Sequence, residues 1–112
     1  MRDRLSQIMI LEEMMRIFPG YSPAYYLAGR IFFDKADYKR AAFFLLKSES
    51  LGLPSEDLAE ENSRILGISL FATGDYEGAI KRFERIVNTS PNKALRDYAL
   101  DFIERCKWAE KT

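Results

Sequence analysis

The stretch from residue 66 to residue 91, LGISLFATGDYEGAIKRFERIVNTSP, decides the fold. It reads as helix, turn, helix, because Gly74 is suited to stop one helix and Asp75 is suited to cap the next. No part of the chain shows the sustained two-residue alternation of apolar and polar residues that is typical of a strand. The sequence therefore predicts an all-α fold.

The same pattern occurs a second time, earlier in the chain. A set of small, acidic, aromatic and apolar residues recurs at one fixed separation: Gly29, Asp37, Tyr38, Ala41 and Leu45 return as Gly67, Asp75, Tyr76, Ala79 and Phe83. A fixed separation of this kind indicates an internal structural repeat. The paired small residues predict close approach of antiparallel helices, since a larger side chain at the contact would push the two axes apart.

These residues resemble the tetratricopeptide repeat (TPR) family. The second copy also has Leu66, Leu70 and Pro91 at the family's spacing, while Ser63 stands where the family has an aromatic residue. In the first copy Tyr25 supplies that aromatic residue. The resemblance implies antiparallel helix pairs that stack as a short right-handed solenoid.

The separation between the two copies is longer than the family's usual period by about one helical turn. We expect residues 54–57 to add this turn at the head of a helix, with Ser55 as its cap. Ser22 is expected to cap an earlier helix, ahead of Pro23 in the first turn.

One domain spanning residues 1–112 is predicted. Its six helices are expected near 3–18, 23–35, 38–51, 56–72, 76–88 and 93–110. We assign 3–18 to a half repeat, 22–53 and 56–91 to two repeats, and 93–110 to a capping helix that closes the array.

Residues 3–18 resemble the second helix of a repeat whose first helix is absent. Leu11 precedes Leu45 by the family's usual period, and Pro19 follows Leu11 at the same spacing as Pro91 follows Phe83. Gln7 takes the position of the small residue that the pattern expects.

Composition excludes several classes of function. Seventeen Lys and Arg balance 17 Asp and Glu, so the net charge of zero gives no reason to expect nucleic acid or an anionic membrane as partner. The chain has no histidine and one cysteine, Cys106, so Ser-His-Asp and Cys-His nucleophiles, the usual zinc sites and intrachain disulfides cannot be built. We expect a buried and unreactive thiol, no cofactor and no catalytic activity.

No apolar run approaches the roughly 18 residues that a membrane span needs. We therefore expect a soluble chain, either in the cytoplasm or as the soluble domain of a membrane-anchored protein.

The resemblance implies a binding surface on the concave side, which the first helix of each pair forms. Six residues are expected to line it: Tyr26, Arg30, Phe33, Arg64, Ile68 and Phe71. Aromatic residues and arginine dominate binding hot spots, so the sequence predicts a protein or peptide partner with acidic and apolar character. Phe33 and Phe71 could instead pack between neighbouring helices.

The first helix suggests an alternative function. Its apolar residues cover about half of the circumference, more than the stripe of about 100° that one neighbour buries: Ile8, Ile10, Leu11, Met14, Met15, Ile17 and Phe18. The absent first helix of that repeat, a second copy of the chain or a partner could cover the surplus. The alternative is a structural or self-associating domain of a larger protein, membrane-anchored or not, that forms a homodimer through Ile10, Met14 and Ile17.

Overall fold

A computed structural model describes residues 4–112, and in these residues six α-helices pack as adjacent pairs without any strand. The helices are α1 (Arg4–Ile17), α2 (Ser22–Asp34), α3 (Tyr38–Leu51), α4 (Glu56–Ala72), α5 (Tyr76–Thr89) and α6 (Lys93–Lys111). The all-α prediction is confirmed, and each described helix begins and ends at the predicted residue or at its immediate neighbour. The predicted start of the first helix at residue 3 lies outside the described residues.

The caps explain why the helices of the second repeat begin and end where they do. The Ser55 side chain accepts a hydrogen bond from the Leu58 backbone N–H at 3.1 Å, and Asp75 accepts one from Gly78 at 2.9 Å. Gly74 between α4 and α5 has a φ of +90°, in the left-handed region that favours glycine. Helix α4 has 17 residues against 13 in α2, which confirms the extra turn.

The prediction for Ser22 is wrong. Tyr21 is the N-cap of α2, with no side-chain hydrogen bond, and Ser22 is already helical and only 5% exposed. The helix starts one residue earlier because the Tyr21 backbone carbonyl already accepts a bond from the Ala24 N–H at 3.3 Å. Pro23 fits the first turn, where its missing N–H needs no partner.

Small residues bring the helices of each pair close together, as predicted. A Cβ atom added to Gly29 would lie 2.6 Å from the Leu45 side chain, and one added to Gly67 would lie 2.8 Å from the Phe83 ring. Both distances are below any real van der Waals contact. The same type of contact therefore occurs in both repeats, at corresponding positions.

Consecutive helices pack against one another along the whole chain, and α2 also contacts α4. Residues of α2 to α6 form the main core, whereas α1 is held to α2 by a separate small cluster: Ile8, Leu11, Ala24, Ala28 and Ile31. Helix α1 is thus attached at the edge of the domain. The handedness of the stack stays a prediction.

Within the described part of the chain, no helix combines the length and the apolar character that crossing a membrane requires.

Candidate functional site

An ion network joins the first helices of the two repeats. Arg64 of α4 donates from Nε and Nη2 to the two carboxylate oxygens of Glu61, at 2.9 Å each. Arg30 of α2 donates from Nη1 to Glu61 Oε2 at 3.3 Å, and its Nε lies 3.6 Å from Asp34 Oδ1. The two predicted arginines therefore lie together, with one carboxylate between them.

Both guanidinium groups stay charged in this network. The hydrogen bond from Arg64 to Glu61 raises the pKa of Arg64 against the opposing effect of burial. The hydrogen bond to the Tyr26 hydroxyl raises the pKa of Arg30, with smaller contributions from the charges of Glu61 and Asp34. We call the surface formed by α2 and α4 the wall. Two cations face two carboxylates here, so this part of the wall carries no net charge.

Tyr26 lies on the core side of the network. It is only 7% exposed and belongs to the main core, and its hydroxyl accepts a hydrogen bond from Arg30 Nη1 at 3.2 Å. A ligand on the wall would reach Arg30 before the Tyr26 ring. Tyr26 therefore orients Arg30 and offers little surface of its own.

The remaining predicted residues, Phe33, Ile68 and Phe71, are half-buried against the core. Phe33 meets the Tyr38 ring edge-on at 5.8 Å between centroids. Phe71 meets Phe102 of α6 at 5.2 Å. These rings pack between helices, as the alternative interpretation had it, and leave only part of each side chain open to solvent.

Glu61 is not among the site residues that the sequence predicts. The spacing of Glu61 and Arg64, one turn apart on one helix, is a recognisable signal for an ion pair. The contact with Arg30 depends on the packing of α2 against α4, which no local pattern encodes.

A second candidate surface lies on α1. Ile10 is 57% exposed and Ile17 is 51% exposed, while Met14 is half-buried against the α1–α2 cluster. An apolar depression of about 730 Å³ continues this surface from the end of α1 into the loop before α2, and it is lined by Met14, Ile17, Phe18, Pro19, Gly20 and Tyr21. We call the set Ile10, Met14, Ile17, Phe18, Tyr21 and Leu27 the α1 face.

The described residues offer little support for metal binding or thiol chemistry. They contain no cluster of three or more side chains able to hold a metal ion. Cys106 is free and fully buried, and this burial raises the pKa of its thiol. The prediction of a buried thiol is confirmed.

Comparison with known protein families and with curated proteins finds no match to this chain.

Proposed function

We propose that the chain is a TPR-like protein-interaction module without catalytic activity, in which the wall formed by α2 and α4 binds a peptide or a partner protein. The observation that carries the proposal is the repeated helix contact, Gly29 on Leu45 and Gly67 on Phe83, at corresponding positions of the two repeats. Repetition of one helix pair sets the first helices side by side. Their shared surface then holds Arg30, Glu61 and Arg64 within one hydrogen-bonded group.

The chemistry of this wall favours a ligand that combines a carboxylate with apolar side chains. Arg30 keeps 44% of its side chain exposed, so a ligand carboxylate could replace its contacts with Glu61 and Asp34. Ile68 and Phe71 of α4 keep part of their apolar side chains open to solvent. Binding should weaken with added salt only in part, because burial of apolar surface does not depend on ionic screening.

The experiment compares two charge reversals in the whole chain. Arg30→Glu with Arg64→Glu changes the wall, and Arg40→Glu with Arg85→Glu is the matched control on the exposed side of α3 and α5. We expect the first variant to lose the partner proteins that the unmodified chain captures from cell extract, and the control to keep them. Circular dichroism checks that both variants stay helical.

Two results would contradict the proposal. One is a wall variant that keeps every partner of the unmodified chain. The other comes from chemical-shift mapping with a captured partner, if the perturbed residues lie only on α3 and α5.

A further inference from the structure

Met14 of helix α1 is more exposed than the residues at the equivalent position of α3 and α5. Met14 stands in α1 where Ser48 stands in α3 and Ile86 stands in α5, in the register that aligns Leu11 with Leu45 and Phe83. Ser48 and Ile86 are at most 1% exposed, whereas Met14 is only half-buried. Among residues 4–112, no helix covers the side of α1 that corresponds to the covered side of α3 and α5.

Ile10 shows the same difference. It corresponds to Phe44, which stacks on Phe32 of α2 with 5.6 Å between ring centroids and 3° between ring planes. Helix α2 is the first helix of the repeat to which Phe44 belongs. Ile10, by contrast, is 57% exposed.

The uncovered surface continues onto α2. Leu27 is 46% exposed, although its counterpart in the second repeat, Ile65, is fully buried. Leu27, Ile10 and Arg30 also share a depression of about 370 Å³ between α1 and α2. The uncovered surface of α1 and α2 therefore forms a gap, and this gap has the position that a first helix takes in a complete repeat.

Position 7 restricts what can fill this gap. Ala41 and Ala79 are fully buried and permit the close approach of a glycine-bearing helix, but Gln7 stands at the corresponding position of α1. A helix that presents glycine would be held too far away to make contact. A covering helix therefore needs long apolar side chains to contact the apolar residues of α1.

The opposite end of the domain is a poor source of such a helix. The outer surface of α6 exposes Leu100 and Trp108, but it also carries exposed ion pairs, Lys93 with Asp97 at 2.9 Å and Asp101 with Arg105 at 3.1 Å. Head-to-tail packing of α6 on α1 would bury these charges against an apolar surface, which is costly. The ion-paired part of the α6 surface is therefore not complementary to the α1 face.

Helix α1 itself has the required character. Ile10, Met14 and Ile17 follow the spacing i, i+4, i+7 of a single helix face, and the residues of the 730 Å³ depression carry no charge. The chain has no net charge, so two copies meet without overall repulsion. Methionine adapts to irregular contacts, which suits a helix pair without small residues.

We propose that the α1 face is a homodimer interface, in which α1 of a second copy packs antiparallel on α1 across a two-fold axis near Met14. Each α1 then takes the place of the other copy's missing first helix. A two-fold interface of this kind closes on itself. It leaves Arg64 and the α4 side of the wall uncovered, whereas Arg30 borders the depression between α1 and α2. The proposal stands independently of the proposed binding function.

Sedimentation velocity tests the dimer. We expect the unmodified 13.0 kDa chain to sediment with twice its monomer mass, and Ile10→Lys with Ile17→Lys to raise the dimer dissociation constant by at least about a hundredfold while helicity is kept. Phe43→Lys is the matched control, because Phe43 is a 68% exposed apolar residue on α3. It should leave the dimer intact.

Cross-linking tests the position of the axis without adding charge. In the Met14→Cys variant, the new thiols of the two copies should form a disulfide with each other under mild oxidation. The buried Cys106 does not compete with this reaction. Glu12→Cys, at an exposed position of α1 outside the α1 face, should not.

Three results would overturn the proposal. The first is an unmodified chain that stays monomeric at high concentration. The second is a dimer that the two lysines leave intact, and the third is cross-linking at position 12 in preference to position 14. Arg64→Glu alone, which leaves Arg30 at the edge of the depression unchanged, should remain dimeric, so a failure of the wall to bind partners is distinguishable from a failure of the dimer.

Discussion

The helix pairs α2–α3 and α4–α5, which form the two predicted repeats, make the same glycine contact. Different side chains lie around this contact in the two pairs. In both, a glycine of the first helix lies against a large apolar residue of the second, Leu45 or Phe83. One turn before the glycine, the first repeat has Tyr25, whose hydroxyl donates to the Pro19 carbonyl at 3.0 Å. The second repeat has Ser63 at that position, fully buried.

The junctions that follow the two repeats differ as well. Between α3 and α4, Ser48 and Asn62 form a buried hydrogen bond at 2.6 Å, and Asn62 also donates to the Leu45 carbonyl at 3.1 Å. Between α5 and α6, the Phe83 and Phe102 rings stack at 4.4 Å. The glycine contact therefore sets how closely the two helices of a pair pack, while either polar or aromatic groups can fill the space around it.

The largest effect is expected from removing the glycine contact. Gly29→Leu and Gly67→Leu should each lower the free energy of unfolding by about 1–3 kcal/mol through overpacking. Gly29→Leu should cost more, because an added Cβ also lies 3.3 Å from the Ala41 backbone carbonyl, which cannot rotate away. Urea unfolding measures both.

Gly20→Leu is the matched control for these two variants. Nothing lies within 4 Å of a Cβ added to Gly20, so its effect should stay within about 0.5 kcal/mol. If Gly67→Leu were as stable as the unmodified chain, the close-contact interpretation of the second repeat would be wrong.

A smaller effect separates the two buried serines. Ser48→Ala removes the hydroxyl that donates to Asn62 Oδ1, leaves that buried oxygen unsatisfied and should cost about 1–2 kcal/mol. Ser63→Ala should be neutral or slightly stabilising, since the Ser63 hydroxyl is buried and has no hydrogen-bond partner among the described residues. Thermal melts of the two variants, recorded side by side, check the difference. Equal losses would mean that the Ser63 hydroxyl has a partner after all.

Local signals were sufficient to predict most of the fold. Gly74 and Asp75, or Ser55 with its following acidic residues, act within one turn of the helix they stop or cap, so their effect can be derived from a short window. The glycine contacts could be predicted because the repeat compares one part of the chain with another. Ser22 was misassigned because the backbone turn through Phe18 and Tyr21 starts the helix without any side-chain cap.

The candidate site was less predictable, because its chemistry depends on contacts between helices. The sequence identifies Arg30 and Arg64 as cations on one side of the repeat, but the sharing of Glu61 by both follows only from the packing of α2 on α4. Helix periodicity does not reveal that Tyr26 is buried beneath Arg30. The assignment of these residues to partner binding stays a prediction.

The smallest expected effect concerns the ion pairs that connect the two repeats. Arg82 of α5 and Glu49 of α3 link the second helices at 2.7 Å, as Arg30 and Glu61 link the first helices at 3.3 Å. Removing the carboxylate in Glu61→Ala leaves two arginines close together, which should cost about 0.5–1 kcal/mol at low salt and less at high salt. Glu84→Ala is the control: Glu84 is exposed and lies in the middle of α5, away from the helix N-terminus, so its loss should be close to zero. Urea melts at two salt concentrations give both values. Equal losses for the two variants at low salt would mean that the network on the wall of α2 and α4 adds no stability to the contact between the repeats.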